Sequence, residues 1–259
     1  MPAGGAHRQA ALVTTSPSPL AIETRGLTKR FGSRTAVADV NLTVPAGCAF
    51  GFLGHNGAGK TTVIRLLTGL TRPDSGTIAI GGRPLPGHQQ EVLARVGAIV
   101  EEPRFHHHLT GRENLRVIAA VRGPQTSRRI EPALERVGLA DRAGDRVGAY
   151  SQGMRQRLGI ARCLLADPRL IILDEPMNGL DPGGILELRR LIADLVAEGR
   201  TVFISSHLID EIEKTCHAAA VIDRGRLIAQ GPIAALLGDR GSSLEDWFLA
   251  LTARVGARS

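Results

Sequence analysis

The sequence AFGFLGHNGAGKTTVIRLL, residues 49–67, decides the fold of this chain. Its apolar run at 49–53 predicts a short buried strand, and the run at 63–67 predicts the beginning of a helix. The residues between them, 54–61, fit the pattern G-x-x-x-x-G-K-[ST]. A glycine-rich loop between a strand and a helix is the context that a phosphate-binding loop requires.

Each residue type in this loop suits the phosphate groups of a nucleotide. Glycines let backbone N–H groups approach phosphate oxygens without a Cβ in the way, and the N-terminus of the next helix attracts the same anion. Lys60 would place its charge on the β- and γ-phosphates, and Thr61 would offer its hydroxyl to Mg²⁺. We therefore predict nucleotide binding by one continuous stretch: Gly54, His55, Asn56, Gly57, Ala58, Gly59, Lys60, Thr61 and Thr62.

The alternative to a phosphate-binding loop is a glycine-rich turn before an ordinary helix. The lysine argues against that alternative, because the chain contains 29 arginines and only 3 lysines, at positions 29, 60 and 214. Arginine has a planar guanidinium group that does not replace a compact ammonium group in a tight loop. A chain that uses arginine almost everywhere else has lysine here, which favours nucleotide binding.

Length and composition allow one large α/β domain, or one such domain with a small subdomain. The chain has 259 residues, of which 43% are hydrophobic, and no apolar run approaches the roughly 20 residues of a membrane span. The net charge of +7 is compatible with a phosphate ligand, an anionic membrane or nucleic acid, although a solvated arginine-rich surface is the simpler explanation. The three cysteines lack metal-ligand spacing and are expected to be reduced thiols in a cytoplasmic protein.

Strand and helix patterns alternate along the chain. Residues 1–19, rich in Ala, Ser, Thr and Pro, are expected to be a disordered lead-in, and residues 20–43 predict two antiparallel strands around Gly26 and Gly32. Further strands are predicted at residues 77–80 and just before Glu101. Alternating β and α elements indicate a mostly parallel sheet with helices on both faces.

Residues 104 to about 147 change character and predict a helical insertion in this α/β domain. Two helices are expected there, over residues 110–121 and 129–137, and a third helix follows over residues 151–165. Thr110 and Glu113 form the pattern of a capping box at the beginning of the first helix, and Ser151 should open the third.

The last third of the chain predicts four strands separated by helices. The strands are expected at residues 170–173, 201–205, 219–223 and 226–230. Asp181 should cap the helix after the first of these strands, with Pro182 at its first position, and Ser206 should cap the helix after the second. Two short helices should end the chain.

Asp174 and Glu175 follow the buried strand at 170–173. An aspartate at the carboxyl end of a core strand, beside a phosphate-binding loop, is the position of the Walker-B metal carboxylate. Glu175 is then a candidate to orient or deprotonate a water molecule. The alternative is a pair of acidic residues at a strand end that cap nothing, and the loop upstream favours the catalytic interpretation.

Further motifs resemble those of the ATP-binding-cassette (ABC) ATPases, and the match covers about residues 20–235. YSQGMRQRLGIAR, residues 150–162, resembles the signature motif of that family, NGLD at 178–181 its D-loop, and SSH at 205–207 its H-loop. Phe31 stands where the family usually has a tyrosine that stacks on adenine. The resemblance implies a P-loop NTPase of ABC type, with a mostly parallel core sheet, an antiparallel β subdomain and a helical insertion.

The resemblance also implies roles for individual residues. Ser151 and Gly153, at the N-terminus of the signature helix, would bind the γ-phosphate of an ATP held by a second subunit, in a head-to-tail dimer. Glu175 would act on the attacking water, His207 would hold it against the γ-phosphate, and Asp181 would sense the partner subunit. The alternatives are that His207 only begins a surface helix and that Asp181 is only a helix cap.

One departure from the family concerns the metal site. The glutamine that bridges the metal and the transmembrane partner in the family appears here as Glu101. If Glu101 lies in that position, it brings a third carboxylate close to Asp174 and Glu175, and Mg²⁺ would relieve their mutual repulsion. The alternative is that Glu101 points away and pairs with an arginine, such as Arg104 or Arg112.

Other departures indicate a subfamily. Gln152 and Met154 replace the usual residues of the signature, and LTGRENL at 109–115 and LEDWFL at 244–249 accompany them. These variants resemble ATPases of exporters of the bacitracin-resistance and lantibiotic-immunity type, which pair with a separate six-helix, ABC-2-like permease. The resemblance implies a cytoplasmic protein that is peripheral on the inner face of the membrane through that permease.

The resemblance predicts an ABC ATPase domain at residues 20–235 with a helical subdomain at about 104–165, followed by a short helical tail at 236–259. It also predicts that the chain hydrolyses ATP with Mg²⁺ and powers export of a drug or peptide antibiotic. The alternative function is a soluble ABC-type switch on nucleic acid or ribosomes, which a single P-loop without an arginine-rich arm disfavours.

His106, His107 and His108 are interpreted as a solvated loop or a permease contact, because three consecutive loop residues do not converge on one ion.

Overall fold

The main sheet of the computed structural model, which describes residues 19–238 and 243–256, has six strands. Their spatial order is β11-β10-β4-β9-β8-β7, and every neighbouring pair is parallel except β10 and β11. The strands are β4 (Ala49–Leu53), β7 (Val96–Ile99), β8 (Leu170–Asp174), β9 (Thr201–Ser206), β10 (Ala218–Asp223) and β11 (Arg226–Pro232). The predicted, mostly parallel sheet is confirmed. The lead-in predicted for residues 1–19 lies, except for Pro19, outside the described residues.

A second sheet is antiparallel, and its strands come from the chain on both sides of β4. It has the order β2-β1-β5-β6, with β3 paired to β1. Its strands are β1 (Leu20–Phe31), β2 (Arg34–Val40), β3 (Thr43–Pro45), β5 (Ser75–Ile80) and β6 (Arg83–Pro84). Gly32 lies in the turn between β1 and β2, whereas Gly26 lies inside β1 with a φ of 60°, where the pairing register shifts. A glycine inside a strand pattern marked an irregularity there rather than a turn.

Helices cover both faces of the main sheet, as predicted. α1 contributes Val63 and Ile64 to the apolar core on one face, and α6 to α8 contribute to the core on the other face. The helices are α1 (Lys60–Leu67), α2 (Leu85–Leu93), α3 (Gly111–Arg122), α4 (Pro124–Ser127), α5 (Ile130–Arg136), α6 (Gln152–Leu164), α7 (Pro182–Ala197), α8 (Ile209–Thr215), α9 (Ile233–Leu237) and α10 (Leu244–Gly256). Helices α3 to α6 pack on one another and form the helical insertion.

Two short helices, α2 and α4, were not predicted from the sequence. Helix α2 is interrupted by non-helical backbone at Pro86, Gly87 and His88, so it has no continuous apolar stripe. Helix α4 has only four residues and begins with Pro124. Elements this short or this broken do not produce a detectable 3.6-residue period.

Side-chain caps fix three of the helix beginnings that the sequence predicted. Thr110 accepts from the N–H of Glu113 at 3.1 Å, and the Glu113 carboxylate accepts from the N–H of Thr110 at 2.8 Å. This backbone hydrogen bond lowers the pKa of Glu113, since it favours the ionised carboxylate. Ser151 caps α6 through the N–H of Met154, and Asp181 caps α7 through the N–H of Gly184.

The fourth predicted cap is wrong. Ser206 is the last residue of β9 and is only 1% exposed. Its hydroxyl accepts from the N–H of Leu208, which is itself the residue that precedes α8. The strand extends further than the apolar pattern indicated, so the serine ends a strand instead of beginning a helix.

Glycine at position 51 lets a helix approach the strand that leads to the phosphate-binding loop. A Cβ on Gly51 would lie 2.3 Å from the Cγ2 atom of Ile212 in α8. Ile212 is fully buried, so its side chain has little room to move away. Strand β4, which precedes the phosphate-binding loop, is therefore in direct contact with helix α8, which follows His207.

Within residues 19–238 and 243–256, no helix combines the length and the apolar character needed to cross a membrane.

Gly51→Ala is expected to destabilise the protein by about 1–3 kcal/mol, because the added methyl overpacks a rigid contact. For a chain of this size each kcal/mol shifts the melting temperature by about 2–4 °C. Thermal unfolding followed by circular dichroism measures the change. Gly144→Ala is the matched control, since a Cβ there meets no atom within 4 Å. Equal melting temperatures for the two variants would contradict this account.

Candidate active site

The phosphate-binding loop follows β4 and has the backbone that its glycines predicted. Gly57 and Gly59 have φ values of 81° and 113°, in the region that favours glycine. A Cβ on Gly54 would lie 2.5 Å from the carbonyl oxygen of Ile222, so this glycine is required by a close backbone approach. No side chain caps the N-terminus of α1, and its first turn holds no acidic residue. The arrangement leaves backbone N–H groups and the positive end of the helix available to an anion.

Lys60 folds back over this loop. Its ammonium group donates to the carbonyl oxygen of Gly54 at 2.6 Å and reaches that of His55 at 3.4 Å. The same nitrogen lies 3.0 Å from Oε1 of Glu175, in an ion pair whose side chains are 6% and 19% exposed. The lysine is therefore buried and its charge is compensated by the carboxylate that follows β8.

The register of the main sheet brings Asp174 and Glu175 to the phosphate-binding loop. Asp174 pairs with Ser205 across β8 and β9, and β9 pairs in turn with β4. Asp174 is 5% exposed and accepts a 2.5 Å hydrogen bond from the Ser205 hydroxyl. The backbone N–H of Glu175 donates to the same hydroxyl at 3.0 Å. A single serine thus holds both acidic residues in place.

His207 completes a chain of charged and polar groups. Its Nδ1 lies 2.9 Å from Oε2 of Glu175, and its backbone N–H donates to the same oxygen at 3.3 Å. The Glu175 carboxylate is therefore shared between Lys60 on one oxygen and His207 on the other. The Oε1 atom of Glu175 is buried. Its contact with Lys60 is an ion pair, and among the described residues this oxygen accepts no hydrogen bond of regular geometry. Glu175 also has a φ of 47°, in the left-handed region, directly after the end of β8.

The signature residues lie at the exposed N-terminus of α6. Ser151 is exposed and Gly153 half-buried, and the Nε2 atom of Gln152 donates to the carbonyl oxygen of Asn178 at 2.9 Å. The signature helix is thereby tied to the segment that precedes Asp181. No hydrogen bond or ion pair in the described part of the chain joins Ser151 or Gly153 to the phosphate-binding loop of the same chain.

Phe31 ends strand β1 and is 51% exposed. The Lys29 ammonium lies 5.5 Å from its ring centroid and forms an ion pair of 2.9 Å with Asp74. Hydrogen bonds from the Arg30 backbone and from Lys29 lower the pKa of Asp74. The phenyl ring is thus backed by a cation that is held in place, and an exposed aromatic ring of this kind offers a stacking surface for a base.

Glu101 is exposed and pairs with Arg65 of α1. Neither arginine named from the sequence is the partner, and Arg112 instead pairs with Glu131. Glu101 also has a φ of 63°. Among the described residues no group of three or more His, Cys, Asp or Glu side chains is arranged to hold a metal ion.

The oxygen donors next to the loop nevertheless suit Mg²⁺ together with a nucleotide. Mg²⁺ in such sites takes one or two carboxylates or hydroxyls from the protein and further oxygens from the phosphates and water. Asp174 and Thr61 supply a carboxylate and a hydroxyl of this kind, with Thr61 in the first turn of α1. A Mg²⁺ site of this kind does not need a group of three or more His, Cys, Asp or Glu side chains, because the nucleotide and water supply the remaining ligands.

The three consecutive histidines form an exposed loop before α3. The rings of His106 and His108 are 5.8 Å apart in an edge-on arrangement, and the backbone N–H of His106 donates to Asn114. The predicted loop conformation is confirmed.

Two residues of this region were not predicted as parts of the site. Ser205 joins Asp174 to the backbone of Glu175, and Arg65 holds Glu101. Ser205 stands two residues before His207 at the end of a core strand, which was an available signal. Arg65 carried no signal, because its pairing depends on how α1 faces the loop after β7.

The chain is similar in sequence and in fold to ATP-binding proteins of ABC transporters. The family model described as "ABC transporter" matches residues 37–178. The bacitracin transport ATP-binding protein BcrA of Bacillus licheniformis is 49% identical over 212 residues, which cover 82% of this chain and 69% of that protein. The lantibiotic transport ATP-binding protein SrtF of Streptococcus pyogenes is 40% identical over 209 residues, covering 81% and 90%. A solved structure of an ATP binding subunit of an ABC transporter has a TM-score of 0.79 and 31% identity, covering 90% of this chain and 99% of its own.

Ser205→Ala is expected to lower the free energy of unfolding by about 1–3 kcal/mol, because it removes a hydrogen bond to a buried carboxylate. Denaturant unfolding in the absence of nucleotide measures the loss. Ser206→Ala is the control, since that hydroxyl is equally buried but bonds only a neutral backbone N–H. A neutral bond contributes about 0.5–1.5 kcal/mol, so an equal or larger loss in the control would contradict the assigned role of Ser205.

Proposed function

The chain belongs to the ABC transporter family, whose ATP-binding proteins hydrolyse ATP, and we propose that it powers export of a peptide antibiotic or a drug through a separate permease. The observation that carries the proposal is the Lys60–Glu175–His207 chain of contacts at the phosphate-binding loop. These contacts join an ammonium, a carboxylate and an imidazole group, which would bind phosphate and act on water. The names of the relatives, bacitracin and lantibiotic transport proteins, support the substrate class.

The geometry supports a division of roles for ATP binding. The loop 54–62 would surround the phosphates with backbone N–H groups, Lys60 would bind the β- and γ-phosphates, and Phe31 would stack on the adenine. When bound, Mg²⁺ would neutralise part of the phosphate charge. Its protein ligands would be Thr61 and Asp174, with Glu101 as a further candidate. Asp174 is positioned for this by its bond from Ser205.

Lys60 and Glu175 would change partners when ATP binds. Before binding, the carboxylate compensates the lysine at 3.0 Å. The phosphates offer the lysine a larger negative charge, so the carboxylate is freed to accept a hydrogen bond from the attacking water. His207, 2.9 Å from the same carboxylate, would hold that water against the γ-phosphate. Glu175 would thus act as the general base and His207 as the residue that positions the water.

The position of the signature residues supports the proposal of a homodimer in the ATP-bound state. Ser151 and Gly153 lie at an exposed helix N-terminus that has no polar link to the phosphate-binding loop within the described part of its own chain. That helix end suits a γ-phosphate held by a second copy. Asp181 would then lie near the partner, and Gln152 would couple it to the signature helix through Asn178.

The proposed organisation places the ATPase domain at residues 20–235, the helical subdomain at about 104–165 and a helical tail at 236–259. The partner would be an ABC-2-like permease, and the protein would lie at the inner face of the membrane through that contact. Family membership supports a permease partner in general terms. The alternative, a switch on nucleic acid or ribosomes, has no comparable support among the relatives named above.

Co-purification distinguishes these two functions. The chain, tagged and expressed in its native host, is isolated from detergent-solubilised membranes, and the bound components are identified. The expected result is an integral membrane subunit, with ATP hydrolysis in liposomes that responds to a peptide antibiotic such as bacitracin. Recovery with RNA or ribosomal proteins, and no membrane subunit, would overturn the export proposal without affecting the assignment as an ATPase.

Glu175→Gln is expected to bind ATP but to hydrolyse it about 10²–10⁴-fold more slowly, because the amide does not accept a proton from water. It should accumulate as an ATP-bound dimer. Gel filtration with ATP and Mg²⁺ and a phosphate-release assay measure the two effects. Lys60→Ala is the contrasting variant, which should lose both tight binding and the dimer. A Glu175→Gln protein that stays monomeric, or that turns over at the native rate, would refute the role.

Glu101→Gln tests whether Glu101 belongs to the metal site. If it does, removing a negative charge should let the variant bind ATP more tightly than the native protein in EDTA, with a smaller difference in saturating Mg²⁺. Titration calorimetry with and without EDTA gives both affinities. Arg65→Gln is the control, since it removes the ion pair but leaves the carboxylate. Equal or weaker metal-free binding by Glu101→Gln would show that Glu101 serves only to pair with Arg65.

A further inference from the structure

The C-terminal helix α10 contacts the phosphate-binding loop through two aromatic rings. The ring of Phe248 lies 5.1 Å from that of His55, with an angle of 68° between the ring planes. Phe248 is among the largest fully buried side chains, at 2% exposure, whereas His55 is exposed. The contact is an edge-to-face pair in which a buried anchor touches one residue of the loop.

Helix α10 is held in this position by contacts that do not involve the loop. The backbone N–H of Leu244 donates to the carboxylate of Glu213 in α8 at 2.8 Å, and Leu244 is fully buried. Ser243 caps the helix by accepting from the N–H of Asp246. The helix also packs against α8 and α9. Phe248 is therefore presented to His55 from a fixed base.

The backbone of His55 is part of the lysine-binding arrangement. Its carbonyl oxygen accepts from the N–H of Ala58 at 3.1 Å and lies 3.4 Å from the Lys60 ammonium. Any force that fixes the His55 ring also limits rotation of this peptide. The neighbouring glycines at 54, 57 and 59 give the loop little stiffness of its own.

From this geometry we propose that Phe248 is a positioning residue for ATP binding, acting through His55. The edge-to-face contact holds the loop in its phosphate-binding conformation before the nucleotide arrives. A loop that is already ordered loses less conformational entropy on binding, so the affinity is higher. The inference goes beyond the proposed export function and depends only on nucleotide binding.

A double-mutant cycle on the affinity for ADP with Mg²⁺ tests this proposal in the full chain. ADP is chosen because it engages the phosphate-binding loop and is not hydrolysed. Aromatic pairs contribute about 0.5–1.5 kcal/mol, so Phe248→Leu and His55→Ala should each weaken binding about 2- to 12-fold. The double variant should bind no more weakly than either single variant, since both changes remove one contact.

Two further variants separate positioning from a general loss of structure. Trp247→Leu removes the aromatic ring next to Phe248 on the same helix, which has no ring contact with the loop among the described residues, and it should keep the native affinity. His55→Phe keeps an aromatic ring at the exposed position and should restore the affinity that His55→Ala loses. This pair of His55 variants decides the question even if Phe248→Leu does not fold.

Steady-state values of KM and kcat distinguish a positioning role from a purely structural one. His55→Ala and Phe248→Leu should raise KM for ATP by the same factor and leave kcat within about twofold, because the groups that act on water are unchanged. Independent, multiplicative effects in the cycle would overturn the proposal. Native affinity in His55→Ala, or no recovery in His55→Phe, would overturn it as well.

Discussion

A buried lysine that needs a counter-charge is the constraint on which the rest of the site depends. The Lys60 ammonium is 6% exposed, and its free energy of burial is offset by the Gly54 carbonyl oxygen and by the Glu175 carboxylate at 3.0 Å. A lone ammonium group in this position would be strongly unfavourable. The pairing therefore requires β8 to deliver an acidic residue to the loop that follows β4, although these strands are not neighbours. Strand β9 lies between them and carries Ser205, which fixes the acidic residues by two hydrogen bonds.

The close approach of backbone elements makes this delivery possible. Gly51 admits Ile212 of α8 against β4, and Gly54 admits the backbone of Ile222 against the beginning of the loop. Helix α8 begins just after His207, so the position of that histidine depends on how closely α8 packs on β4. The geometry of the charged groups therefore depends on packing in the core. A single methyl group added at Gly51 would displace α8 and so disturb the charged groups, although the methyl group does not contact them.

Sequence patterns predicted the parts of this structure that local chemistry encodes. The phosphate-binding loop, the capping box at Thr110 and the buried strand before Asp174 each lie within one contiguous stretch, where spacing and residue type carry the signal. Helix α2 was missed because its kink removes the apolar period, and Ser206 was misassigned because a strand extended by one residue past the apolar run. The Glu101–Arg65 pair and the His55–Phe248 contact join distant positions, and their existence depends on helix packing that no local pattern describes. The sequence therefore predicted the list of reactive groups better than the groups that position them.

One copy of the chain brings together only part of the residues that we propose act on ATP. The loop, the acidic residues and His207 come together within one chain because the parallel sheet aligns the carboxyl ends of β4, β8 and β9. Ser151 lies instead at the end of α6, in the helical insertion, and α6 packs on β7 at the edge of the sheet. No hydrogen bond or ion pair among the described residues joins Ser151 to the loop after β4 of the same chain. If the signature residues contact a phosphate, as we propose, a second copy would supply it, and the Gln152–Asn178 bond would link the helix end to the Asp181 segment when that copy binds.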